Sequence, residues 1–247
     1  MTKISIIIPA RFNSKRLPGK PLAKICGKEL IIHVAEKCSK VVGSENLYIA
    51  TDSQKIKKKV LENSYNVIMT STKCLTGTDR VAQASKKVKS NIFINVQGDE
   101  PLVSPKDIKK IIAAKKKYPK YIICGFSEIT KKEDPFSRNI PKVVLNKFNE
   151  LIYISRAVVP SSKNKKDKIK YLKQVCIYAF NKRELYKFMN YKRKGEVEKI
   201  EDIEILRFFD LGFKVKMIKL KANTIAVDEF KDLRKVEKIL KRWIKNL

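Results

Sequence analysis

The sequence predicts an α/β fold, a mostly parallel sheet covered by helices on both faces, and three observations carry that prediction. Apolar runs at residues 4–8, 47–51, 66–69 and 91–96 have the length and composition of buried strands. Helix-patterned stretches lie between them, which gives the βαβα rhythm of a parallel sheet. The second half then changes character, with strand-like runs that no helix separates, as expected of a smaller mixed lobe within about 121–212 of a single domain spanning 1–247.

The run at 4–8 stops at Pro9. Four cations follow, Arg11, Lys15, Arg16 and Lys20, while Pro18 and Gly19 break any helix. They therefore sit on a loop off a strand end, where open α/β sheets bind ligands. Backbone N–H groups together with cations suit a polyphosphate. A solvated basic loop in a Lys-rich chain is the plainer alternative. The loop is not a Walker A motif, since Pro21 stands where Ser or Thr would hold magnesium. The chain also contains no Gly-x-Gly, so there is no dinucleotide fingerprint.

The strand at 47–51 ends in Asp52, and a Lys-rich helix runs to about Asn63. A polar loop follows the strand at 66–69 and leads to a helix over 80–88, for which Thr78 is a candidate N-cap. The strand at 91–96 leaves through Gln97-Gly98-Asp99-Glu100-Pro101, and a helix covers 105–117. Further on, 121–126, 142–145, 151–154, 175–180 and 214–220 read as strands, and 183–189, 200–211 and 231–245 as helices. Residues 161–170 form a polar, Lys-rich loop.

The composition, 247 residues and 43% hydrophobic, suits one good-sized core. No apolar run approaches the ~20 residues of a membrane span. A strand occupies the place of a signal peptide, so a cytoplasmic protein is expected. The five cysteines are widely spaced and contain no C-x-x-C, against a disulfide framework or zinc site. The one histidine, His33, lies in an apolar helical stretch and reads as a packed side chain. The net charge of +31 invites a polyanion-binding alternative. However, only 10 of the 56 basic residues are Arg, and the lysines spread over the whole chain, so no specific nucleic-acid partner is expected.

Four constellations carry chemistry. Asp99 leaves a buried strand on the sheet edge that holds the basic loop. A carboxylate beside bound phosphates calls for a bridging cation, and Mg²⁺ is the natural one. An Asp there can equally cap a turn. Asp228 ends a short apolar run and could complete the metal site, or cap the following helix. Thr76-Gly77-Thr78-Asp79-Arg80 offers hydroxyls, a close backbone approach and a guanidinium, or simply starts a helix. Glu198, Glu201, Glu204 and Arg207 recur every three residues, which a solvated salt-bridged helix also explains.

Together these residues resemble the 3-deoxy-manno-octulosonate (Kdo) cytidylyltransferases, the CMP-Kdo synthetase family, over nearly the whole chain. Residues 9–22 are similar to the family's nucleotide loop, and Gly77-Thr78-Asp79-Arg80 to its Ser-Gly-Thr-Glu/Asp-Arg segment. Residues 95–101 match its most specific motif, and Ser155-Arg156-Ala157 with Pro160 its sugar-side segment. The resemblance implies a Rossmann-like nucleotidyltransferase sheet with a smaller sugar-binding and dimerisation lobe, and a homodimer. It implies attack of an ulosonic acid's anomeric hydroxyl on the α-phosphorus of CTP, with Mg²⁺ as cofactor, for surface-glycan synthesis such as lipopolysaccharide. Lys20, Asp99 and Asp228 would be catalytic, the two aspartates as metal ligands. Pro9, Ala10, Arg11, Ser14, Arg16, Lys20, Thr78 and Arg80 would bind the nucleotide. Gln97, Arg156, Gln174, Tyr178, Glu201 and Glu204 would face the sugar, with Arg156 a partner for its carboxylate.

The sugar-side motifs depart from the family pattern. Gln174 stands for a His, Cys176 for a Gly and Ile205 for a Gln. A modified acceptor such as 8-amino-Kdo, or another ulosonic or nonulosonic acid, is therefore an alternative to Kdo.

Overall fold

The computed structural model describes residues 2–14, 16–131, 133–164, 168–221 and 225–245. In chain order the strands and helices are β1 (Ile4–Ala10), β2 (Lys24–Ile25), β3 (Lys28–Glu29), α1 (Leu30–Val42), β4 (Leu47–Thr51), α2 (Gln54–Glu62), β5 (Asn66–Met69) and α3 (Gly77–Ser85). Then come β6 (Ile92–Val96), α4 (Pro105–Lys117), β7 (Ile122–Glu128), β8 (Lys142–Leu145), β9 (Leu151–Ser155) and β10 (Leu172–Asn181). The chain closes with α5 (Lys182–Asn190), α6 (Glu196–Glu201), α7 (Arg207–Asp210), β11 (Val215–Lys219) and α8 (Phe230–Lys245).

The main sheet runs β11-β7-β10-β6-β1-β4-β5, with β8 and β9 added beside β10. β1 pairs in parallel with both β4 and β6, so the strand ends at Ala10, Thr51 and Val96 open on one edge. β10 is antiparallel to both neighbours, β6 and β7. Alternation along β1 splits the core. Ile6 and Ile8 join one buried cluster with Ile31, Ala35, Ile94 and Ile108 of α1, β6 and α4. Ile7 joins the other with Val81, Phe93, Phe180 and Phe208. Both faces of the central strands are thus covered, which is why they read as unbroken apolar runs.

Local chemistry sets the helix ends. Ser53 accepts the Ile56 N–H to start α2, and Pro105 occupies the first turn of α4. Asn181 and Glu184 form a reciprocal capping box on α5. α8 lays Leu233, Val236 and Leu240 against Ile25, Leu30 and Leu102, a third cluster that ties the C-terminal segment to the loops around the N-terminal strands.

The structure corrects two local expectations. α3 begins at Gly77, and its N-cap is Thr76, not Thr78; the Thr76 hydroxyl accepts the Asp79 N–H. The helix expected over 200–211 is broken: α6 ends at Glu201, Asp202 adopts the left-handed conformation at φ 49°, and a 3-10 turn (Glu204–Leu206) precedes α7. Of the 121–212 segment, β7 and β10 lie in the central sheet, while β9 lies outside its main path and pairs with β8. The centre of the expected loop at 161–170 lies outside the described residues.

One buried ion pair ties the two halves of the chain. The Lys115 ammonium donates to both Glu184 oxygens at 2.7 and 2.8 Å and to the carbonyls of Pro119 and Tyr121. Burial pushes the lysine pKa down and the glutamate pKa up from their ordinary values. Lys115→Met should therefore cost about 3–5 kcal/mol in urea unfolding at pH 7, because it strands a buried carboxylate. A carboxylate with a raised folded-state pKa destabilises once ionised, so the loss should shrink as pH falls toward the ordinary glutamate range. A small, pH-independent loss would contradict this role.

Candidate active site

The site is assembled where β1 and β6 end side by side. An added Cβ on Gly98 would lie 2.8 Å from the Pro9 carbonyl oxygen, so glycine is what lets the two strand exits touch. Gly19, at φ 68°, turns the basic loop back; its N–H donates to the Phe12 carbonyl, and a 3-10 turn (Lys20–Leu22) follows. The Lys20 side chain is thereby aimed at Asp99.

The Lys20 ammonium donates to Asp99 Oδ2 at 2.6 Å and to Asp228 Oδ1 at 3.3 Å. Arg16 reaches the same Asp228 oxygen at 3.0 Å. A backbone latch brings the two aspartates together, with the Val227 N–H donating to the Asp99 carbonyl at 2.9 Å. Asp232 then accepts the N–H groups of Asp228 and Glu229. The chain itself gathers both carboxylates around one positive charge. Oxygen donors converging in this way fit Mg²⁺, which needs only one or two carboxylates when phosphates supply the rest. Among the described residues no group of three or more potential ligands exists.

A cavity of about 1050 Å³ opens over this junction. Of the residues predicted from sequence, it is lined by Pro9, Ala10, Arg11, Ser14, Arg16, Lys20, Arg80, Gln97, Asp99, Arg156, Glu204 and Asp228. Thr78, Gln174, Tyr178 and Glu201 are not in its wall. Thr78 is buried and gives its N–H to Glu204. Gln174 donates to the buried Tyr178 hydroxyl, whose pKa burial raises well above the ordinary value. Cys176 and Ile205 do not line the cavity either. His33 bonds the Ile25 carbonyl through Nε2, a packing role as expected.

Arg80 and Glu204 in the wall are held from behind. Arg80 is 4% exposed and bonds Asp52 at 2.6 Å and the Thr70 hydroxyl. Glu204 accepts the Thr78 N–H at 2.9 Å and the Gln97 amide at 3.2 Å; burial raises its pKa, and the Thr78 N–H partly offsets the rise. Arg207, fully buried, pairs with Asp79 and Glu198 and stacks 3.9 Å over the Phe188 ring. Burial opposes its charge, but the two carboxylates prevail and raise its pKa. Glu198, Glu204 and Arg207 thus brace α3 against the α6–α7 segment, while Glu201 bonds Ser155 and the Arg156 N–H, so the series is not a solvated helix face.

The Arg156 guanidinium donates to the backbone oxygens of Glu201, Arg138 and Asp202, and its charge also acts on the Glu201 and Asp202 carboxylates. Glu201 in turn accepts from the Arg156 N–H and the Ser155 hydroxyl. Burial works against the Glu201 carboxylate, yet those donors keep its pKa below the ordinary value. Sequence reasoning missed Asn139, Lys194 and Asp202 in the wall, and the supports Asp52 and Asp232. Asp52 had a signal, an acid at a strand end; Lys194 is one lysine among 46.

A parallel sheet edge with a cationic loop, a carboxylate pair and one deep cavity is the arrangement of a nucleotidyltransferase. The cytidylyltransferase family profile matches residues 5–219, and the chain belongs to that family. It is 34% identical over 242 residues to 3-deoxy-manno-octulosonate cytidylyltransferase of Escherichia coli, covering 97% of each chain. It is 35% identical over 245 residues to 8-amino-3,8-dideoxy-manno-octulosonate cytidylyltransferase of Shewanella baltica, covering 96% of this chain and 98% of the relative. The solved structure of CMP:2-keto-3-deoxy-manno-octonic acid synthetase complexed with CTP superposes with a TM-score of 0.90 at 33% identity, covering 98% and 99% of the two chains. The chain is an enzyme, which answers the polyanion-binding alternative.

Gly98→Ala tests the strand junction. Pushing a methyl group against the Pro9 carbonyl must displace the turn that carries Asp99, and a shift of about 1 Å at such a site costs about a hundredfold in rate. Pyrophosphate release by the variant should fall by that order while it stays folded. Unchanged turnover would show that the close approach does not set the position of Asp99.

Proposed function

We propose that this enzyme couples CTP to a 3-deoxy-ulosonic acid, Kdo or its 8-amino form, giving the CMP-sugar and pyrophosphate for lipopolysaccharide or a related surface glycan. The observation that carries the reading is the cavity itself, whose wall holds cations over a carboxylate pair and also the Arg156 guanidinium, oriented by backbone carbonyls. The relatives named for Kdo and for 8-amino-Kdo support the acceptor class.

In this reading Arg11, Arg16 and Lys20 bind the triphosphate, with Ser14 and the backbone at Pro9 and Ala10 beside it. Arg80, and Thr78 behind it, shape the nucleotide end. Gln97, Glu204 and Arg156 meet the acceptor, Arg156 through its carboxylate; Gln174, Tyr178 and Glu201 support that side from behind. The acceptor's anomeric oxygen forms a bond to the α-phosphorus, the bond from that phosphorus to pyrophosphate breaks, and the hydroxyl proton is lost. Mg²⁺ held by Asp99 and Asp228 would neutralise charge on the phosphates. Lys20 would exchange its carboxylate partners for phosphate oxygens, keeping a positive charge where the leaving group departs. No protein nucleophile is required.

A homodimer is part of the proposal. β9 exposes Ile152 and Tyr153, and α6 exposes Val197 and Ile200, the last at 84%. Tyr153 also bonds Glu201, so β9 and α6 lie side by side, and these exposed apolar side chains suit a partner subunit. Among the described residues no helix is long and apolar enough to cross a membrane, which suits the cytoplasmic location proposed for a nucleotide-dependent enzyme.

A pyrophosphate-release assay with Mg²⁺, four nucleotides and a panel of sugar acids tests the reading. CTP with Kdo or 8-amino-Kdo should turn over, with ATP and GTP at least tenfold slower. The ratio of kcat/KM for the two acids then names the acceptor. Equal use of all four nucleotides, or no turnover with any ulosonic acid, would overturn the proposal.

A further inference from the structure

Lys142 is the first residue of β8 and is fully buried, yet the mechanism above does not use it. Its register neighbours are Ser155 on β9 and Lys173 on β10. Its ammonium donates to the Arg156 carbonyl at 2.7 Å and to the Ser137 carbonyl at 3.0 Å. Among the described residues it makes no salt bridge, unlike the other buried lysine, Lys115, which has Glu184. A buried charge without an acid partner is costly, and two carbonyls could be satisfied by a neutral donor.

The two carbonyls belong to two segments that meet at one end of the cavity. Arg156 lines the cavity; the loop after Ser137 supplies the Arg138 carbonyl that holds the Arg156 guanidinium, and then Asn139 in the wall. Lys142 therefore staples the loop to the strand end directly beneath the guanidinium. We propose that Lys142 is a positioning residue for Arg156, and that its buried charge adds to the positive field that holds the acceptor's carboxylate. Burial and the like-charged Arg156 push its pKa below the ordinary lysine value, and the more distant Asp134 and Glu201 offset this only in part.

This inference rests on the reading that Arg156 meets a sugar acid, and the test separates the two. Lys142→Met removes charge and donor; Lys142→Gln removes the charge and keeps a donor. Each is compared with the wild type in steady-state kinetics on CTP and the acid the wild type uses, alongside thermal melting. Both variants should raise KM for the sugar acid at least tenfold and leave KM for CTP within twofold. If Lys142→Met does not fold, Lys142→Gln carries the same expectation. An unchanged acid KM in a folded variant, or equal changes in both KM values, would overturn the role of Lys142 while leaving the proposed function standing. A wild-type enzyme that uses no sugar acid would overturn both.

Discussion

Two carboxylates brought within reach of one ammonium set the terms for the rest of this molecule. Asp99 and Asp228 lie far apart in the chain and would repel if left facing each other. The Lys20 ammonium lies between them, and Arg16 adds a second positive group on Asp228. For that contact to exist, β1 and β6 must be neighbours, Gly98 must be small, and the C-terminal segment must cross back over the N-terminal loops. The Val227–Asp99 backbone bond and the packing of α8 on Ile25, Leu30 and Leu102 meet the last condition. A cluster of charges is thus the product of hydrophobic packing several residues away.

The other end of the cavity is built differently. There the acids serve as structural parts: Glu198 and Asp79 neutralise Arg207, and Glu204 anchors the start of α3 and the Gln97 amide. Arg156, which lines the cavity as Lys194 does, is bound by carbonyl oxygens, which orient its guanidinium. One end therefore presents charges of both signs, suited to phosphates and a metal, and the other an arginine suited to an anionic acceptor.

The parallel core was legible because its strands are buried on both faces and read as continuous apolar runs. Helices α2 and α4 were legible as the stretches between successive apolar strands; sequence reasoning missed the Ser53 cap of α2. The site loops were legible because Pro, Gly and clustered cations follow strand ends. Less was readable where tertiary contacts override local pattern. Glu198, Glu201, Glu204 and Arg207 kept helical spacing, but Asp202 turns left-handed: Glu201 goes to Ser155 and Glu204 to Thr78, while Glu198 pairs with Arg207. β10 reverses direction through long-range pairing that no local signal encodes. Lys142 is one lysine among 46, and only its complete burial distinguishes it.

We propose that Asp99 and Asp228 form one cation site, filled by Lys20 in the structure and open to a divalent ion when nucleotide phosphates draw the lysine away. Electron paramagnetic resonance titration of Mn²⁺, a stand-in for Mg²⁺, measures this without turnover. In the presence of CTP, Asp99→Asn and Asp228→Asn should each weaken Mn²⁺ binding at least tenfold, and Lys20→Met should tighten Mn²⁺ binding in the absence of nucleotide. Equal Mn²⁺ affinity in the wild type and all three variants would contradict the account.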